Sequence, residues 1–196
     1  MSNLKKSERT RQEILDIAWS LIAKRGAEIS LAEIAKAANM TRQSIYVHFG
    51  SRGGLLTALV RRTDEREKIW EAFEAAMQRP TASERFDAIL DAWLIFLEKI
   101  LPVARDLIRL RTKDAEAGDA WADRMQELRL FYVGIMQNMK DDNALSDLWT
   151  PQTAAEYVWT QSSVQIWGLL TEECGWSANV ARTSIKSTAR QVLRAP

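Results

Sequence analysis

Apolar side chains recur at helical spacing almost throughout the chain, and the alternating runs that make strands are scarce. Ile14, Ala18 and Ile22 stand four residues apart, with Leu15, Trp19 and Leu21 widening the stripe. This predicts a helix over about 8–24, closed by Gly26 behind Lys24 and Arg25. Ser30, with Glu33 three residues on, has capping-box spacing and opens a short helix whose stripe is Leu31, Ile34, Ala35 and Ala38. Asn39 breaks that stripe, and Thr41 caps a second short helix that ends at Gly50. A longer helix is predicted over about 52–78, apolar at Leu55, Leu56, Leu59 and Val60 and again at Ile69, Trp70 and Phe73, and ended by Pro80. Ser83 reads as the cap of a helix over about 84–101, with Pro102 breaking the chain before another over about 103–113. Gly118 marks a loop or a helix start, and the stripe Trp121, Met125, Leu128, Tyr132, Ile135, Met139 gives a helix over about 119–139. Thr150-Pro151 opens a helix over about 151–173, and Ser177 opens the last over about 178–193. The pattern is that of an all-α protein of about nine helices without a sheet.

Composition narrows the class. The 196 residues are 46% apolar and 27% charged, ordinary globular usage, which excludes a disordered tail, a collagen-like repeat and a disulfide mini-protein. Cys174 is the single cysteine and His48 the single histidine, so no internal disulfide, no cysteine-based zinc cluster and no histidine pair can form. The longest apolar run, Ala92 to Leu97, is six residues; a membrane span needs about 20. The N-terminus is charged and lacks an apolar stretch of signal-peptide length. The expectation is a cytoplasmic protein with no membrane contact, no metal and no cofactor. The net charge of +1 hides an asymmetry: residues 1–62 hold 11 Lys+Arg against 5 Asp+Glu, and residues 63–196 hold 16 against 21, so +6 faces −5. A polyanion would be met by the first third alone.

The two short helices at 31–49 are joined by three residues, the build of a helix-turn-helix whose second helix enters the major groove. Ala35 is small where the helices cross, Asn39 tolerates the left-handed conformation of the turn, and Ile34, Ala38, Met40 and Ile45 face inward. Thr41, Arg42, Gln43 and Ser44 face outward as short or forked hydrogen bonders, suited to base edges and phosphates. Such a pair could equally be a plain helical hairpin. The exposed side of the second helix argues otherwise, because it holds Arg, Gln, Ser, Tyr and His but no acid, whereas a merely solvated helix mixes signs.

Residues 8–60 resemble the DNA-binding domain of TetR-type transcriptional regulators. The likeness is carried by Arg11-Gln12-Glu13-Ile14-Leu15, by Ile34-Ala35-Lys36-Ala37-Ala38, and by Ser44-Ile45-Tyr46-Val47-His48-Phe49 followed by Ser51-Arg52 and Leu55-Leu56. The resemblance implies a DNA-binding domain over 1–52 and a helical ligand-binding and dimerisation domain over 53–196. It further implies a homodimer on a pseudo-palindromic operator, paired through the helices at about 151–173 and 178–193, and released when a small molecule binds. By position, Thr41, Ser44, Tyr46, His48 and Arg52 fall where the family contacts phosphates, and Arg42 and Gln43 where it contacts bases. Asn39 replaces the usual turn glycine. Gly53-Gly54 replaces a charged pair at the start of the fourth helix, where each glycine costs about 1 kcal/mol against alanine and is expected to soften that turn.

Seven of the eight tryptophans lie beyond residue 69. They fill a core, line a cavity for a flat or cationic organic ligand, or do both. Trp93, Phe96, Trp121, Phe131 and Trp159 are the wall candidates, with Asp91, Glu98 or Glu156 as counter-charges. Along the last two helices, Val158, Ser162, Gln165, Ile166, Leu169 and then Ala181, Ile185, Thr188, Val192 form the expected subunit face. Two other readings compete. An all-helical enzyme finds no nucleophile elbow, phosphate-binding glycine loop, CxxC or histidine pair, only carboxylate pairs at 141–142 and 172–173. A helical dimer with a decayed DNA surface is opposed by the intact face from Thr41 to His48.

Overall fold

The computed structural model describes residues 2–26 and 28–194, with side chains from residue 6 onward. The described residues are helical, with a single isolated β-bridge between Leu145 and Arg194. The helices are α1 Ser2–Arg25, α2 Leu31–Ala37, α3 Arg42–Phe49, α4 Arg52–Glu67, α5 Ile69–Met77, α6 Ala82–Leu110, α7 Ala115–Asp141, α8 Pro151–Gln161, α9 Val164–Gly168 and α10 Ala178–Leu193. The last turns of α9 widen into π-helix over Leu169–Glu173. Counting the kinked pair α8 and α9 as one helix gives nine.

Five predicted features of the helices are corrected. The helix expected over 52–78 breaks at Lys68, which takes a left-handed φ of 55°. The buried residues explain it: Leu55, Leu56, Leu59 and Val60 lie on one side of α4, and Ile69, Phe73 and Ala76 continue about 100° out of phase, so a straight helix could not bury both sets. Conversely, Pro102 lies inside an unbroken α6. Leu97, Ile100, Val103, Ala104 and Leu107 are buried on both sides of it. At roughly 1.5–3 kcal/mol per large apolar side chain, that stripe outweighs the roughly 3 kcal/mol cost of an interior proline. The cap of α6 is Thr81, whose hydroxyl accepts from the Glu84 N–H at 3.2 Å while Glu84 returns a bond to the Thr81 N–H at 3.1 Å, so Ser83 has no capping role. Gly118 is interior to α7. The helix expected over 151–173 kinks at Ser162, whose hydroxyl back-bonds to the Val158 carbonyl at 2.7 Å. The freed Ser162 carbonyl accepts the Trp93 indole N–H at 2.8 Å.

The chain forms two compact units, Met1–Arg66 with Pro102–Arg124, and Glu67–Leu101 with Met125–Pro196. In the first, Ile14, Leu15, Ala18 and Ile22 of α1, Ile34 and Ala35 of α2, Ile45 of α3, and Leu55 and Leu59 of α4 are almost fully buried. Its most enclosed polar contact joins Arg124 Nε to Asp64 Oδ2 at 2.5 Å, with side chains 3% and 5% exposed. In the second, Phe73, Phe86, Trp93, Tyr132 and Trp167 are buried. Asp87 and Asp91 of α6 hold Arg190 and Lys186 of α10 at 2.6 and 2.7 Å. Val158, Ser162, Ala181 and Ile185, expected on a subunit face, are buried within their own chain. Gln165, Leu169, Thr188 and Val192 are exposed. The four buried positions belong to the apolar stripe that any packed helix turns inward, and spacing alone does not separate that stripe from an interface.

Candidate nucleic-acid interface

The interface is built from α2 upward. The Glu33 carboxylate accepts from the Ser30 N–H at 3.0 Å and the Ser30 hydroxyl at 2.9 Å, and the Glu33 N–H donates to the Ser30 hydroxyl at 3.2 Å. Its other oxygen receives Arg25 Nη2 of α1 at 2.7 Å. These bonds, led by that from the Ser30 N–H and followed by those from its hydroxyl and from Arg25, hold the Glu33 carboxyl below the usual glutamate range. The entry to the motif is thus tied both to its own first turn and to α1.

Between α2 and α3 the backbone turns through Asn39 at φ 53°, with the Met40 N–H on the Ala35 carbonyl at 2.8 Å. Asparagine takes this conformation at little cost. Thr41 then caps α3: its hydroxyl accepts the Ser44 N–H at 3.1 Å and meets the Ser44 hydroxyl at 2.9 Å. Ile45 and Phe49 are buried and lock α3 against the core, so the opposite side faces out.

On that side Thr41, Arg42 and Gln43 are exposed, and Ser44, Tyr46 and His48 are half-buried. Arg42 Nη2 donates to the Tyr46 hydroxyl at 3.1 Å, and its guanidinium carbon lies 5.4 Å from the centre of the Tyr46 ring. This pre-orders a long cation beside a hydroxyl, both able to turn to an oxygen acceptor. His48 stands next to Phe49, ring centres 6.2 Å apart. Arg52, at the start of α4, is half-buried and paired with Asp114. Val47, an apolar residue with no candidate role in the sequence reading, is 76% exposed on α3, one turn beyond Gln43. A single valine in a mixed helix carries no periodic signal, so only coordinates reveal it.

Residues 14–59, which include this turn and both of its helices, match the family described as bacterial regulatory proteins, tetR family. This helix-turn-helix is therefore of the TetR type. The transcriptional regulator AcrR of Shigella flexneri is 40% identical over 70 residues, 35% of this chain and 28% of that protein. The transcriptional repressor BepR of Brucella suis is 25% identical over 198 residues, 95% of this chain and 93% of that protein. The fold matches that of the fatty acid degradation regulator FadR from Bacillus halodurans with a TM-score of 0.76 at 14% identity, covering 92% of this chain and 94% of that one. The AcrR and BepR relatives are transcriptional regulators.

The aromatic residues nominated as ligand walls do not gather into one group. Trp93 is buried with its indole on Ser162, and its ring centre is 5.7 Å from that of Phe96. Phe131 stacks on Phe73 at 4.8 Å and meets Trp70 edge-on at 6.0 Å, two rings on the apolar side of a predicted helix that were not nominated as ligand walls. Trp159 is half-buried beneath the Arg129 guanidinium at 5.3 Å. Trp121 belongs to the other compact unit. Of the proposed counter-charges, Asp91 is engaged by Lys186 at 2.7 Å and Glu156 by Gln152 at 2.8 Å, while Glu98 is exposed. Helix spacing locates an aromatic on a buried stripe but not which other ring it touches.

Proposed function

We propose that this chain is a TetR-family repressor that binds a pseudo-palindromic operator as a homodimer and leaves it when a small organic ligand, aromatic or cationic, occupies the C-terminal domain. In functional terms residues 1–52 are the DNA-binding domain and residues 53–196 the ligand-binding and dimerisation domain. The work is done in the cytoplasm, where the operator is. Among the described residues no helix is long and apolar enough to cross a membrane.

The observation that carries this reading is the outward side of α3, free of carboxylates and held outward by buried Ile45 and Phe49. Arg42 and Gln43 read bases; Thr41, Ser44, Tyr46, His48 and Arg52 take phosphates. Gln43 and Val47, four residues apart, form one ridge. An amide beside an isopropyl group suits an A·T pair, with the amide on adenine and the apolar group on the thymine methyl. Phe131 and Trp159, half-buried in the second unit, are the ligand contacts we favour, with Trp93 and Phe96 of the same unit as supporting wall. The subunits pair through the outward sides of the helices at 151–173 and 178–193, where Leu169 and Val180 are exposed.

Selection of genomic fragments by the purified protein supplies the operator. In a mobility-shift series, Arg42→Ala is expected to relax base preference, costing about 1–3 kcal/mol on the best site and little elsewhere. Tyr46→Phe is expected to weaken all sequences alike. Unchanged binding in both variants would refute the site.

A further inference from the structure

On the first compact unit Arg52 lies in a cleft with Arg42 of α3 and with Lys113, Asp114 and Glu116 of the corner between α6 and α7. Three cations there face three carboxylates, Glu28 of the turn before α2 being the third. Within this balance one contact stands out. Arg52 Nη1 donates to Asp114 Oδ2, with the two side chains 20% and 27% exposed. The other oxygen of Asp114 accepts the Ala117 N–H at 3.1 Å and so caps α7. The two first turns also touch: a Cβ on Gly53 would lie 2.9 Å from the Glu116 Cβ. Asp114 is therefore anchored at the start of α7.

We propose that Asp114 competes with the DNA backbone for Arg52. Operator binding requires the guanidinium to exchange the Asp114 carboxylate for a phosphate, so DNA affinity is set partly by a residue outside the helix-turn-helix. The inference rests on the placing of Arg52 at a phosphate, proposed above. Carboxylate and phosphate offer a guanidinium the same pair of acceptor oxygens, so either satisfies it. They exclude each other, because a phosphate within hydrogen-bond reach of Arg52 sets its charge beside that of Asp114, which its bond to Ala117 keeps from withdrawing. The exchange also makes α7 a party to binding. Whatever steadies Asp114 on Arg52 lowers DNA affinity, and bound DNA loosens that contact by the same factor.

The test is a double-mutant cycle on the full-length protein, read by titrating a labelled random-sequence duplex, since phosphate contacts do not depend on sequence. Asp114→Asn removes the charge and keeps a side chain that caps helices as well as aspartate does. It is expected to tighten binding about fivefold to tenfold and to steepen the salt dependence by about one released ion. In an Arg52→Ala background the same change is expected to leave affinity as it was. Weaker or unchanged binding by Asp114→Asn alone overturns the competition, and so does equal tightening with and without Arg52. Should Arg52→Ala by itself leave affinity intact, the phosphate role of Arg52 falls, and the competition with it. If Asp114→Asn lowers the melting temperature, Asp114→Ser, which also caps, is read by the same criteria.

Discussion

At the scale of single residues, the outward side of α3 has two ridges. Arg42 and Tyr46 are already bonded to each other at 3.1 Å, so either can be handed to DNA without ordering a loose side chain. The other ridge ends in Val47, whose exposure leaves much of the roughly 1.5–3 kcal/mol available from burying a valine unrealised. A thymine methyl is the apolar group the major groove offers in return. We expect deoxyuridine in place of a contacted thymine to weaken binding about fivefold. Val47→Ala should largely remove that difference, because the variant lacks the two γ-methyls that reach the thymine methyl. An equal loss in both proteins would mean that Val47 does not reach the base. The polar half of this surface was legible in the sequence, because the absence of acid over a whole helix face is a pattern. Val47 was not, since one apolar residue on a mixed helix looks the same whether it points in or out.

At the scale of helices, the corner between α3 and α4 reverses an expectation. By helix propensity alone, two glycines opening α4 are a soft spot, and alanine at either position would help by about 1 kcal/mol. Yet a Cβ at Gly54 would stand 2.1 Å from the Phe49 carbonyl oxygen, and the Gly54 N–H donates to the Ser51 hydroxyl at 2.9 Å. The close approach of α3 to α4 uses the missing side chain. Gly54→Ala is therefore expected to cost about 1–3 kcal/mol, as overpacking does, and to lower the thermal midpoint by several degrees. Gly53→Ala would set a Cβ 2.9 Å from the Glu116 Cβ, a lesser overlap, and should be milder. A Gly54→Ala protein at least as stable as the parent would remove the packing argument. The same lesson covers the helix boundaries. Caps at Ser30, Thr41, Thr150 and Ser177 could be read because their bonds span three residues. The break at Lys68 and the passage of Pro102 could not, because each is decided by partners distant in sequence: the phase of two buried stripes and the core on both sides of a proline. At Ser162 the back-bond to Val158 is local, but the Trp93 indole that takes the freed carbonyl is distant.

For the molecule as a whole, a net charge of +1 conceals the +6 of the first 62 residues, so attraction to DNA is local and salt-sensitive while the remainder is repelled. One short helix reads few bases, and in the homodimer proposed above specificity depends on two copies reading together. Leu169, Trp176 and Val180 remain exposed at the end of α9, in the following loop and on the first turn of α10. A second copy related by a two-fold axis would cover such a patch with its own equivalent. Two linked outcomes follow. Leu169→Asp with Val180→Arg should shift the sedimenting species from dimer toward monomer and weaken operator binding at nanomolar protein far more than binding to random duplex. On the DNA side, inserting about five base pairs between half-sites turns one of them to the far face of the helix and should abolish the specific complex, because half-sites must lie on one face at multiples of about 10 base pairs. If the insertion were harmless while the double variant still bound the intact operator tightly, each chain would be reading DNA alone, and the paired arrangement would have to be given up while the α3 surface itself stood.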